Sequence, residues 1–259
     1  MQIVWITGAS SGIGAALAQA YSQRGVRLVL SARRRERLEA VRAACLNPDW
    51  HRIVPLDLAD PATLEAAAEQ VLAEAGRVDV LVHNGGISQR SLVQDTGMDV
   101  VRRIMEVNFF GAVALTRAVL PSMLARRRGQ IVVVSSVVGR FGTPQRAAYA
   151  ASKHALHGFF DALRAEVHDA GLRVTIACPG RVRTDISLHA LTGDGSPHGQ
   201  MDPGQARGMP ADECAERIVR AAERGKEEVY IGGTEVLGVY AKRFVPRLFS
   251  RLIRSVNVT

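Results

Sequence analysis

Lysine is scarce in this chain. Of 33 basic residues only Lys153, Lys226 and Lys242 are lysines; the rest are arginines. A lysine retained against that preference suggests a place where a compact ammonium is needed rather than a planar fork. Cysteine is also sparse. Cys45, Cys178 and Cys214 are far apart, odd in number and form no CxxC. That excludes a disulfide framework and a zinc ribbon, and it suits a reducing compartment. Aromatic residues make up only 5% of the chain, and the basic clusters at Arg33 to Arg35, Arg126 to Arg128 and Arg243 to Arg254 are not interleaved with them. The net charge of +8 is therefore not read as a nucleic-acid-binding surface. No apolar run approaches the roughly 18 to 20 residues that span a bilayer. Met1 stands just before the apolar run Ile3 to Thr7, which leaves no room for a leader peptide, and we expect a cytoplasmic protein. No His/Cys/carboxylate group shows metal-ligand spacing, so no metal is expected and EDTA should leave any activity intact.

What is present is a regular alternation. Short β-branched runs at Ile3–Thr7, Arg27–Ser31, Arg52–Leu56, Val80–His83, Ile131–Ser135, Arg173–Ala177 and Glu228–Ile231 are separated by amphipathic stretches near 12–24, 34–45, 61–75, 98–126, 148–170 and 211–224. Nearly all-apolar strands separated by helices predict a parallel sheet covered on both faces. Seven of them in one series predict a single-domain α/β doubly wound Rossmann fold over residues 1–259. The alternation is broken by a stretch rich in Gly, Pro, Asp and Ser, read as a substrate lid over 185–209. A final amphipathic helix is predicted over 236–256. Phe244, Val245, Leu248, Phe249, Leu252, Ile253 and Val256 recur on it at helical spacing, beside a stripe of Arg243, Arg247, Arg251 and Arg254. We expect its apolar face to pack on the subunit or its partner, ahead of peripheral membrane contact.

Tyr149 and Lys153 are four residues apart in a helical stretch, so they share a face. An ammonium near a phenol favours the phenolate and makes the tyrosine a usable proton donor or acceptor. At the other end of the chain, Gly8, Ser10, Ser11, Gly12, Ile13 and Gly14 lie between the first strand and the first helix. A glycine-rich turn there lets backbone approach a pyrophosphate at a helix N-terminus, although the spacing is GxxxGxG. After the second strand, Ala32 stands where an NAD site carries an acid, and Arg33 and Arg34 follow. Guanidinium groups match a 2′-phosphate, so NADP(H) is expected in preference to NAD(H). Asp57 with Leu58, and Asn84-Gly85-Gly86, end the third and fourth strands. Asp57 could accept from the adenine amino group or cap the next helix, and Asn84-Gly85-Gly86 lets backbone approach the adenine ribose.

These residues, with Asn108, Ser136, Pro179-Gly180 and Thr184, come in the order and spacing of the short-chain dehydrogenase/reductase family. The chain resembles that family over nearly its whole length. His83 to Ser91 and Ala151 to Phe160 are similar to the dehydrogenase/reductase member 7 branch, near the 11β-hydroxysteroid dehydrogenase group. The resemblance implies an oxidoreductase acting on a lipophilic ketone, aldehyde or secondary alcohol. It implies that Asn108, Ser136, Tyr149 and Lys153 are catalytic: Ser136 binding the carbonyl oxygen, Tyr149 exchanging the proton, Lys153 lowering its pKa and binding ribose hydroxyls, and Asn108 holding a relay water. Pro179, Gly180, Val182 and Thr184 would seat the nicotinamide. Ser88, Ser136, Val138, Phe141, Gln145, Tyr149, Arg181 and Leu188 would bound the substrate. The family commonly has alanine where this chain has Gly85, a small and permissive change. A homodimer or homotetramer through the 98–126 and 148–170 helices is implied as well. Two alternatives stay open: a 3-oxoacyl-thioester reductase, and a dinucleotide-binding sensor without turnover. The four catalytic positions argue against the sensor.

Overall fold

The structure, a computed structural model, describes residues 1–256. Seven parallel strands form one sheet in the order β3-β2-β1-β4-β5-β6-β7. They are β1 Ile3–Thr7, β2 Arg27–Ser31, β3 Arg52–Ile53, β4 Val80–His83, β5 Gly129–Val134, β6 Leu172–Pro179 and β7 Glu228–Ile231. Along each strand alternate side chains point to opposite faces. On β1, Ile3 and Trp5 join one core with Val71, Leu115 and Phe160, while Val4 and Ile6 join the other with Leu17, Leu38 and Ile218. The indole of Trp5 is wholly buried, and its N–H donates to Ser31 Oγ at 2.8 Å, which in turn donates to the Val54 carbonyl at 2.6 Å.

Helices α1 Gly12–Ser22, α2 Arg35–Ala43 and α8 Ala211–Glu223 cover one face. The other is covered by α3 Pro61–Ala75, α5 Gly111–Ala125 and α6 Ala147–Val167. The strand order reverses beside β1, between β1 and β4. At that point the loops leaving the carboxyl ends part and open a crevice, where such sheets bind ligands.

Beyond small shifts at the ends of β5, β6 and several helices, three elements differ from expectation. Pro55, with no N–H, ends the regular β3 ladder at Ile53, although Val54 still donates to the Leu30 carbonyl of β2 and Leu56 to Ala32 just beyond it. The predicted 98–126 helix is α4 Met98–Met105, a π-turn Glu106–Phe110 and α5. The whole stretch Met98–Ala125 is long and apolar enough to cross a bilayer by length and composition, contrary to the sequence reading. Its Leu115, Val119 and Met123 are instead fully buried against the sheet. The predicted 236–256 helix is two helices, α9 Leu237–Phe244 and α10 Pro246–Leu252. Val245 leaves helical geometry (φ −131°, ψ 57°) because the following proline disfavours it.

On α6 the residues Tyr149, Lys153, Leu156, Phe160, Leu163 and Val167 are all buried and recur at three- and four-residue intervals. The pair thus extends the stripe that seats the helix on the sheet. The 185–209 stretch folds back over the crevice through bridges Gln89↔Leu191 and Val182↔Met209 and the short α7 Pro203–Ala206. A buried ion cluster fastens it. Asp202, ahead of α7, pairs with Arg90 from the loop after β4 and with Arg146 at the start of α6. Arg90 also donates to Ser88 Oγ at 2.9 Å.

Removing one member of a buried ion pair leaves the other uncompensated, at a cost of about 3–5 kcal/mol. Asp202→Ala should therefore expose the 185–209 segment to limited proteolysis and lower the thermal midpoint. Asp202→Asn, which keeps an acceptor for Arg90, should do less of both. Equal, parental behaviour of the two variants would show that this cluster does not fasten the segment.

Candidate active site

Asn84 stitches together the two loops that flank the crevice. Its Nδ2 donates to the carbonyls of Thr7 and Gly8 at 3.3 and 3.1 Å, and Thr7 Oγ1 accepts from the main-chain N–H groups of Asn84 and Gly85. Gly8 has φ +63°, and a Cβ there would lie 2.5 Å from Gly85 Cα, so only glycine permits this closeness. A Cβ on Gly85 would stand 2.4 Å from Leu58 Cδ1. Leu58 thus occupies the space that the family's usual alanine would take. The first turn of α1 has no side-chain cap on its N–H groups, which leaves donors for an anion.

The crevice is a cleft of about 840 Å³. Of the residues expected to hold a dinucleotide, Gly8, Ser10, Ser11, Gly12, Ile13, Arg33, Arg34, Asp57, Leu58, Asn84, Gly85, Gly86, Tyr149, Lys153, Pro179, Gly180, Val182 and Thr184 line it. Gly14 does not: a Cβ there would sit 2.1 Å from the Gly8 carbonyl oxygen, so this glycine lets α1 pack on the turn. Asp60, not Asp57, caps α3 by accepting from Ala62 N–H. Asp57 is left facing the cleft.

The expected substrate residues divide. Ser88, Ser136 and Tyr149 line the cleft. Val138 and Phe141 do not; they lie under α9 and α10, packed with Val236, Val239, Phe249 and Ile253. Gln145 is a left-handed turn residue (φ +61°) whose carbonyl accepts from Ser91 N–H. Arg181 lies along Gly204, outside the cleft, and Leu188 is held outside it with its carbonyl accepting from Gly199 N–H. The cleft is lined there instead by Ile186, His189 and Leu191 of the expected 185–209 lid and by residues not anticipated, Ile87, Arg90, Arg103 and Arg146. The lid signal is in the sequence, but which of its side chains turn inward follows from the tertiary path of an irregular segment, tied at Asp202 to Arg90 and Arg146. Arginines so abundant gave no cue by type.

Tyr149 is 8% exposed. Burial raises its pKa; the Arg146 guanidinium, the Ser136 hydroxyl and Arg90 oppose that rise. The first source of favourable charge is therefore Arg146, three residues earlier on α6. Lys153 was expected in that role, but its Nζ donates to the Val134 carbonyl at 2.9 Å and stands 5.8 Å from the Tyr149 ring centroid. Burial pulls Lys153 itself down to about 8. Arg146 is held down to about 10, first by burial and then by Arg90. Its Nη2 reaches Asp202 at 3.0 Å, while its buried Nε has no partner among the described residues. Ser136 Oγ donates to the Pro179 carbonyl at 3.1 Å.

Asn108 lies in the π-turn. Its Oδ1 accepts from Ile87 N–H at 2.8 Å, and its Nδ2 donates to the Ile87 carbonyl and to Ser152 Oγ, both at 2.9 Å. The side chain is thus engaged by protein, so a relay water would have to meet its main chain. Turns of this kind are frequent at functional sites.

One cluster was invisible in the chain spacing. His157, Cys178 and Glu228 place their donor atoms within 4.8 Å of one another. Glu228 is already matched by Arg140 at 2.9 and 2.6 Å. Burial lowers the imidazole to about 4 and pushes the thiol up beyond its ordinary range. With both groups neutral at pH 7, the cluster balances its charge through Arg140.

A profile of the family described as short chain dehydrogenase matches residues 2–192. The Drosophila melanogaster dehydrogenase/reductase SDR family protein 7-like is 43% identical over 254 residues, covering 96% of this chain and 78% of that protein. The Bos taurus dehydrogenase/reductase SDR family member 7B is 44% identical over 261 residues, covering 98% and 80%. Among solved structures, a short-chain dehydrogenase from Streptomyces avermitilis superposes with a TM-score of 0.83 at 30% identity, covering 99% of this chain and 98% of that one. A short-chain dehydrogenase from Sphingobium yanoikuyae in complex with NADPH superposes with a TM-score of 0.79 at 28% identity, covering 99% and 97%. With the glycine turn, the Tyr149–Lys153 stripe and the cleft between them, these likenesses establish that the chain belongs to the short-chain dehydrogenase/reductase family, in its member 7 branch, and is an oxidoreductase.

Proposed function

We propose that the protein is an NADP(H)-dependent reductase of a lipophilic ketone or aldehyde, able to oxidise the corresponding secondary alcohol. The observation that carries this is the shared cleft. One end is the glycine turn rimmed by Arg33 and Arg34, and the other is the Ser136, Tyr149 and Lys153 wall. The residues fit a dinucleotide, because Gly8 and Gly85 bring two backbones to a spacing that any Cβ would close. A bound nicotinamide supplies or accepts the hydride.

The chain's own groups do the rest. Ser136 Oγ turns from the Pro179 carbonyl to the substrate oxygen and orients it. Tyr149 delivers its proton to that oxygen in reduction and removes it in oxidation. Burial keeps the phenol protonated near pH 7, the form that donates in reduction. Lys153 anchors the inner wall through Val134 and presents an ammonium below about pH 8. Ile87, Ile186, Leu191 and Pro197 give the substrate end an apolar lining, which suits a lipophilic carbonyl better than a sugar. Arg33 and Arg34 are exposed at the rim beside Ala32, with no carboxylate to hold a ribose 2′-hydroxyl there. That favours the 2′-phosphate of NADP(H). The NADPH held by the Sphingobium yanoikuyae relative supports the same preference. Outer faces of α5 and α6 expose Ala114, Ala118 and Gly158 beside Phe110, a surface small enough for a second copy to approach closely. We place the enzyme in the cytoplasm, since its described cysteines are free and buried.

Two outcomes test this reading. Tyr149→Phe should cut NADPH-dependent ketone reduction by about a hundredfold or more while NADPH binding persists. Parental turnover in that variant, or no turnover by the parent on ketones, aldehydes or acyl thioesters despite tight NADPH binding, would contradict it. Arg33→Ala with Arg34→Ala should raise the KM for NADPH about ten- to a hundredfold, from the loss of charged hydrogen bonds. The KM for NADH should hardly change. Equal changes for both cofactors would remove the arginines from 2′-phosphate recognition.

A further inference from the structure

The C-terminal helices α9 and α10 have two faces of different character. Inward, Val236, Val239, Phe249 and Ile253 pack on Val137, Val138, Phe141 and Tyr149. The Phe141 and Phe249 rings meet edge-on with centroids 5.3 Å apart, and a Cβ on Gly238 would lie 3.1 Å from the Phe141 ring, so glycine lets α9 pack closely there. This half satisfies the sequence expectation that the apolar face covers the subunit. The outward half does not. Leu237, Tyr240, Phe244, Leu248 and Leu252 stand in solvent, Phe244 at 75% exposure and Leu237 at 63%. Their intervals of three and four residues make one continuous stripe across the Val245 bend. Lys242, Arg243, Arg247, Arg251 and Arg254 are exposed alongside, and residues 236–259 contain no aspartate or glutamate.

We propose that this outer face docks on the surface of an anionic phospholipid bilayer. Exposed large apolar side chains flanked by unopposed arginines are what an interfacial helix needs: the stripe enters the acyl boundary while the guanidinium groups reach lipid phosphates on flexible stems. Charge decides against the competing occupant, a second copy of the chain. A two-fold interface sets a patch against itself. Centred on this face, such an interface would gather the five cations of each copy with no carboxylate in the segment to offset them, and such like-charge juxtaposition suppresses association. A lipid surface supplies the missing anions. The docking stands apart from the hydride chemistry proposed above, because none of the outward residues lines the cleft.

Co-sedimentation of the full chain with phosphatidylcholine vesicles, with and without phosphatidylserine, tests this. The intact protein should bind the phosphatidylserine vesicles and be released by high salt. Arg243→Gln, Arg247→Gln and Arg251→Gln together should weaken that binding about a hundredfold. Phe244→Ser with Leu252→Ser should abolish it, while ketone reduction in solution and the thermal midpoint stay parental. Failure of the intact protein to sediment with anionic vesicles would overturn the proposal. So would Phe244→Ser with Leu252→Ser halving the particle mass in solution and leaving vesicle binding unchanged, because the face would then belong to a second copy.

Discussion

A buried phenol, the group proposed to exchange a proton with the substrate, is the constraint around which the rest of this molecule is arranged. Removing Tyr149 from water disfavours its anion, and the fold answers with cations placed in the same dry region. Those cations need their own restraint. Arg146 and Arg90 converge on the single carboxylate of Asp202, so the cluster retains an excess of positive charge beside the phenol. The same carboxylate belongs to the segment that closes the cleft, so lid position and the field at Tyr149 are set by one contact.

The fold was legible because its signals are periodic and local. All-apolar runs alternating with amphipathic stretches permit little besides a covered parallel sheet, and four strands, β1, β2, β4 and β7, have the boundaries expected of them. The cofactor wall was legible for a different reason. It is built from main chain at strand ends, and glycines mark main chain directly, as at Gly8, Gly12 and Gly85. Gly14 shows the limit of that logic: the same residue type serves packing when the near atom is a carbonyl of its own turn.

The substrate end was poorly legible, because it depends on which way side chains of an irregular segment turn. Val138 and Phe141 follow Ser136 closely in sequence, yet α9 and α10 cover them. Arg90 and Arg146 are brought beside Tyr149 by an ion cluster whose third member lies 56 residues beyond Arg146. Residue type carried no information either, since a chain so rich in arginine offers many candidates. Lys153 stands out in the sequence by its type, but its ammonium donates to the Val134 carbonyl, and the charge that most opposes the rise of the phenol's pKa comes from Arg146.

The dependence of alcohol oxidation on pH in Arg146→Gln, compared with Arg146→Lys, tests the claim most directly. Oxidation needs the phenolate, so losing the guanidinium charge should raise the acid-limb inflection of kcat by about one pH unit or more, and lysine should restore most of it. A residue that only held the lid would raise KM and leave the inflection in place. Superimposable kcat profiles for the parent and Arg146→Gln would contradict the account.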